Sequence, residues 1–137
     1  MSLSSMADED EVAPLLRWHI KYGGRPPLPS LREAIVRALP DLDEETLIDV
    51  KLICTELVTN VYQHARTDGE LRITRRGGGV ICIEVDDNSP RLPLVASGPP
   101  HQRRCRGWEV VDALAKEWGV RSIGQGKSVW VELDAAV

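Results

Sequence analysis

Glu56-Leu57-Val58-Thr59-Asn60-Val61-Tyr62-Gln63-His64-Ala65 closes a long helical pattern that starts near Asp43. On a wheel of about 100° per residue, Leu47, Val50, Ile53, Cys54, Leu57, Val58, Val61 and Ala65 share one broad face. A face that wide belongs against a core. Glu56, Asn60 and His64, spaced four residues apart, run along one edge of it. Asn60 and His64 fall at nearly the angles of Ile53 and Leu57, so they encroach on the apolar stripe. Polar groups at a core boundary must find partners or be desolvated at about 1–3 kcal/mol apiece. A carboxylate and an amide oxygen one turn apart suit a hard cation such as magnesium, with a phosphate beyond it. Asn and His on a helix edge also cap loops or face water, and the helix alone leaves both readings open.

Working outward, Asp41-Leu42-Asp43-Glu44-Glu45 supplies a cap and negative charge at the start of this helix. Before it, Ser30-Leu31-Arg32-Glu33 has the pattern of a capping box. It predicts a short helix with Leu31, Ile35, Val36 and Leu39 inside and Pro40 at its end. Gly23-Gly24-Arg25-Pro26-Pro27-Leu28-Pro29 is a breaker-rich loop, and Leu15 to Tyr22 fits an edge strand. After the long helix, Leu71 and Ile73 alternate with polar residues. Gly77-Gly78-Gly79 turns the chain, and Ile81, Ile83 and Val85 form a second arm ending in Asp86-Asp87-Asn88. Residues 88–104 hold four prolines and little apolar periodicity, the signature of a lid or binding loop. Gly107 then leads an amphipathic helix through Trp108, Val111, Leu114, Ala115 and Trp118, capped by Gly119. Val120 to Ile123, a Gly124-Gln125-Gly126 turn and Ser128 to Leu133 make a closing hairpin. Short turns require antiparallel neighbours. The expected fold is an α/β (α+β) two-layer sandwich: a mixed, mostly antiparallel sheet with helices packed on one face.

With 137 residues and 42% hydrophobic content, one domain with one core is expected, over residues 14–134. Met1-Ser2-Leu3 ahead of Met6 looks like an added leader, and residues 1–13 are expected to be flexible. There is no Phe, so aliphatic side chains must fill the interior. A net charge of −4 argues against a dedicated nucleic-acid binder. No apolar run or basic-then-apolar start suggests a membrane span or a secretory signal. Cys54, Cys82 and Cys105 have no metal-ligand spacing; Cys54 and Cys82 look like small buried hydrophobes in a reducing, cytoplasmic setting.

Three further pieces are ambiguous singly. Asp87 at a strand end can accept a hydrogen bond from an exocyclic amine such as adenine's, or simply belong to a turn. Gly107 at a helix start, after Arg103, Arg104 and Arg106, can hold phosphate or act as a plain cap. Gly124-Gln125-Gly126-Lys127-Ser128 is not a Walker loop, because a strand follows it, and by itself it is a hairpin turn.

Their order resembles the GHKL (Bergerat-fold) ATP-binding domains, with the histidine-kinase-like ATPase fold. Within these, the chain looks like the RsbW-like anti-sigma factor serine/threonine kinases. Thr55 to Ala65 matches the family's Asn-bearing helix. Ile83-Glu84-Val85-Asp86-Asp87-Asn88-Ser89-Pro90-Arg91-Leu92-Pro93 matches the adenine-binding segment, Cys105 to Val111 the lid glycine motif, and Gly126 to Trp130 the terminal strand. The resemblance implies ATP and Mg²⁺ as cofactors. It makes Asn60 the magnesium ligand, Glu56 the general base, and Asp87 the adenine contact. It places His64, Arg91, Arg106, Gly107 and Ser128 around the nucleotide. It implies a sigma factor and an anti-sigma-factor antagonist as protein partners, with no nucleic acid or membrane; related kinases often pair as homodimers. Two family motifs differ here: Asp-x-Gly-x-Gly stands as Asp87-x-Ser89-x-Arg91, and Gly-x-Gly as Cys105-x-Gly107. Those changes keep a second reading in play, a partner-switching regulator with weak or no nucleotide use.

Overall fold

The computed structural model describes residues 13–90 and 106–135. In chain order it contains β1 (Leu16–Ile20), α1 (Leu28–Ala38), α2 (Glu44–Asn60), a π turn (Val61–Ala65), β2 (Gly69–Arg76), β3 (Val80–Asp87), α3 (Arg106–Leu114), β4 (Glu117–Ile123) and β5 (Gly126–Asp134). The five strands form one sheet in the order β1-β2-β3-β5-β4. Every pairing is antiparallel, so the expected mixed sheet has no parallel pair among the described strands. β3 and β5 are neighbours because α3 and β4 return the chain to the same side of β3.

Alternation sorts each strand into two faces. Leu71, Ile73, Ile81, Ile83, Val85, Val129, Val131 and Leu133 join Ile35, Val50, Ile53, Leu57, Val58 and Val111 from the helices in one buried cluster. The other face is polar. Arg72 lies 2.9 Å from Glu70 and 2.8 Å from Asp86, and Arg121 lies 2.7 Å from Glu84. A sheet with one face packed and one wetted is the normal solution for antiparallel strands. The two-layer expectation therefore holds.

α2 starts as its sequence predicts: the Asp43 side chain accepts from Thr46 N at 3.0 Å, with Glu44 and Glu45 in the first turn. α1 does not. It begins at Leu28, Pro27 holds the cap position, and the Ser30–Glu33 box does not form. Pro29 suits the first helical turn, where its missing N–H costs nothing. Leu31, Ile35 and Leu39 are buried, but Val36 is 41% exposed.

The last helix is also shorter than expected. It ends at Leu114, and Lys116 N already donates to Glu132 O of β5 at 2.7 Å. Trp118 lies on β4, where its indole donates to Asp112 at 2.8 Å and meets Trp108 edge-on, with 5.0 Å between ring centroids. Gly119 is no cap; it is the seat of the Trp130 indole, and a Cβ there would come within 2.6 Å of that ring. Cys54 lies in the core, where burial pushes its thiol well above the ordinary range. Cys82 is buried on the opposite face, in register with Thr74 and Glu132 and outside the core cluster.

Two glycines flank the end of β3. A methyl group at Gly69 would overlap the Asp86 carbonyl, and one at Gly126 would overlap the Asp87 carbonyl. Both Gly69→Ala and Gly126→Ala are expected to destabilise the protein by about 1–3 kcal/mol, read as a shift in the urea midpoint. Gly77→Ala, which meets nothing within 4 Å, should move it far less.

Candidate functional site

Connectivity ties two of the elements that carry predicted site residues, the end of α2 and the end of β3. α2 runs into the π turn, where Arg66 N donates to Val61 O at 2.8 Å and Arg66 takes the left-handed conformation at φ 56°. Three residues later Gly69 opens β2, and it pairs directly with Asp87. The Thr67 hydroxyl accepts from Asn88 N at 3.0 Å, and Asp68 O accepts from Asn88 Nδ2 at 3.3 Å. From the other side, the Tyr62 hydroxyl donates to Lys21 O at 2.8 Å, and Asp68 accepts from Tyr22 N at 2.8 Å. The C-terminal end of α2 is thus tied to the sheet end that carries Asp87.

Glu56, Asn60 and His64 are half-buried along the α2 edge. Asn60 is the last α-helical residue and His64 lies inside the π turn. The wider turn shifts His64 from the angle a regular helix would give it. Such turns are rare and gather at functional sites. Periodicity of 3.6 cannot reveal one, so this feature was hidden in the sequence.

Asp87 is the last residue of β3 and is buried. Its Oδ1 accepts from Ser89 N at 2.8 Å, which folds the following chain into an Asx turn. Its principal partner is Lys127, whose Nζ lies 2.8 Å from Oδ2 and 3.0 Å from Oδ1. Lys127 Nζ also reaches Ser89 O at 3.4 Å. The two side chains are 4% and 2% exposed, so the pair is almost fully desolvated.

Lys127 was absent from the residues singled out by sequence, which chose Ser128 instead. Register explains the exchange. Lys127 pairs with Asp87, while Ser128 pairs with Asp86 and Arg121, on the polar face of the sheet. Ser128 is fully buried there, and its Oγ has no partner among the described residues. The structure therefore does not bring Ser128 to Asp87. The signal for Lys127 was present: it heads the alternation Lys127, Val129, Val131, Leu133, and all four are buried. A lysine on an inward stripe demands a counter-charge.

Gly107 falls in the first turn of α3, where backbone N–H groups lack helical acceptors. Arg106 is the first residue of that helix. Trp108 is buried in the core cluster against Trp118. Its Nε1 has no partner among the described residues. Arg91, Arg103, Arg104, Cys105 and the remainder of the expected lid from 91 to 104 lie outside the described residues.

Residues 27–133 match the family model of the histidine kinase-like ATPase domain. An uncharacterized protein of Streptomyces coelicolor is 33% identical over 82 residues, which are 57% of this chain and 78% of that protein. Among solved structures, the RsbU and RsbW domains of Rv1364c from Mycobacterium tuberculosis superpose with a TM-score of 0.62 at 15% identity. That match covers 88% of this chain and 32% of the other, so the chain spans about a third of the solved relative. The chain belongs to the histidine kinase-like ATPase domain family, and its fold is of the GHKL, RsbW-like kind. Among the described residues, no helix is long and apolar enough to cross a membrane.

Removing Lys127 should strand a buried carboxylate. Lys127→Met is expected to cost about 3–5 kcal/mol in chemical denaturation. In an Asp87→Asn background the same change should cost clearly less. Equal costs in both backgrounds would show that the two side chains are not coupled.

Proposed function

We propose that the chain is a magnesium- and ATP-dependent serine/threonine kinase that acts as an anti-sigma factor. Its targets are a sigma factor, which it holds, and an anti-sigma-factor antagonist, which it phosphorylates. The observation that supports this most is the placement of Glu56 and Asn60. They lie one turn apart on the α2 edge, whose end is tied to the strand end carrying buried Asp87. The fold resemblance to the RsbU and RsbW domains of Rv1364c supports the partner-switching element.

The donor set fits the cofactors. Among the described residues no cluster of three His, Cys, Asp or Glu side chains could hold a metal ion. Magnesium in kinase sites commonly uses one or two protein oxygens and completes its shell with phosphate oxygens and water. Asn60 provides such an oxygen. When bound, the ion would neutralise charge on the phosphates. Glu56 accepts the proton of the incoming serine or threonine hydroxyl. His64, the amides around Gly107, Arg106 and Arg91 hold phosphate oxygens. Asp87 orients the base.

One observation favours a second reading, in which the chain binds partners with weak nucleotide use. Asp87 is already bonded to Lys127 and to the amide of Ser89.

Calorimetric titration with ATP, with and without magnesium, separates the two readings. Micromolar, magnesium-dependent binding that Asn60→Ala abolishes is the expected result. Glu56→Gln should still bind ATP but transfer phosphate to the antagonist about 10²–10⁴-fold more slowly, measured with radiolabelled ATP. No magnesium-dependent binding in the wild-type protein would favour the second reading.

A further inference from the structure

The outer surface of α1 and α2 has a chemistry of its own. A shallow groove of about 310 Å³ is lined by Arg32, Glu33, Val36 and Arg37 of α1 and by Lys51 of α2. Helix spacing puts it there. Leu31 and Ile35 of α1 and Val50 of α2 are buried in the core cluster. Arg32, Val36 and Lys51 each follow one of these, about 100° further round the helix, at the outer margin of the buried face. Three cations and one carboxylate line the groove, in a chain whose net charge is −4. Glu33 approaches Arg37 only to 3.8 Å, and both side chains are well exposed, so that pair is weak. Arg32 and Lys51 make no ion pair or hydrogen bond with any described residue. On the wetted face of the sheet, by contrast, Arg17, Arg72, Arg76 and Arg121 each meet a carboxylate. Apolar surface adjoins the unpaired cations. Val36 lies in the groove, and Ile48 and Leu52, 48% and 43% exposed, stand one turn apart on α2 beside Lys51. Single exposed apolar residues are ordinary, but a cluster on two adjoining helices marks an interaction surface.

We propose that this groove is the docking site for an acidic amphipathic helix of a protein partner. The apolar row of such a helix seats on Val36, Ile48 and Leu52, and its flanking carboxylates meet Arg32, Arg37 and Lys51. Charge decides against other occupants. A second copy of this chain, docked groove to groove about a two-fold axis, would oppose cations to cations. A nucleic-acid backbone would answer the cations but leave the three apolar side chains in water. The acidic start of α2, Asp43 to Glu45, lies about two turns from Lys51 and bounds the cationic stretch at that end. Lys51 lies about 140° round α2 from Glu56, on the other flank of the buried face. A docked helix therefore leaves the Glu56 and Asn60 edge uncovered, and the inference stands apart from the nucleotide-binding reading.

The test selects peptides from a displayed library against the wild-type protein and titrates the best of them, fluorescently labelled, by anisotropy. The selected peptides should be acidic with apolar residues at helical spacing, and their binding should weaken as salt rises. Arg32→Glu and Lys51→Glu should each weaken binding about tenfold, and Val36→Asp about a hundredfold. Lys21→Glu, an exposed cation at the other end of α2, should leave it unchanged. A peptide with lysines in place of its carboxylates should bind the Arg32→Glu, Lys51→Glu double variant better than the wild-type protein. Circular dichroism checks the fold of each variant, and should one fail to fold, the composition of the selected peptides and the salt dependence decide. Failure to select any peptide overturns the proposal, as do peptides without acidic bias or binding that the groove substitutions leave intact. Self-association in sedimentation velocity that Lys51→Glu abolishes would assign the groove to a second copy and overturn it too. Each result is read without nucleotide, so a protein that does not bind ATP leaves the inference intact.

Discussion

Burial of one face of α2 is the constraint on which the rest depends. Val50, Ile53, Leu57 and Val58, with Val61 of the π turn that follows, are all within 2% of full burial, in one cluster with β2, β3 and β5. Side chains that deep contribute roughly 1.5–3 kcal/mol each when withdrawn from water. A helix held so firmly has no rotational freedom. Its edge residues Glu56 and Asn60 are therefore placed by the core, although neither belongs to it. The tie through Thr67, Asp68 and Asn88 then sets the distance from that edge to the end of β3.

The end of β3 is a second constrained place. Gly69 and Gly126 press on its last carbonyls, Ser89 N bonds back to Asp87, and Lys127 neutralises the carboxylate. Burying two opposite charges is expensive, and their mutual attraction commonly does no more than offset the loss of water. Such a pair is a poor device for stability.

The corrections share a cause. A Ser-x-x-Glu capping box at Ser30 lost to Pro29, whose geometry suits an earlier start. The expected helix through Trp118 lost to strand pairing, because Lys116 N finds Glu132 O before a further helical turn can form. In each case a local preference worth a fraction of a kcal/mol yielded to long-range pairing that local sequence does not display.

Periodicity alone determined the α2 stripe, the β2–β3 and β4–β5 hairpins, the Asp43 cap and the inward alternation of the strands, since each is set by side-chain spacing on a regular backbone. The Glu56 and Asn60 edge was legible for the same reason, whereas the π turn moves His64 off its regular helical angle. Only tertiary structure decided the strand order, the π turn, the seating of Trp130 over Gly119, and the choice of Lys127 over Ser128 as the partner of Asp87. Those features depend on which residues face each other across strands far apart in the chain. Residues 87 and 127 meet because β5 pairs with β3 in one register, and a shift of a single residue would have turned Ser128 inward and Lys127 out.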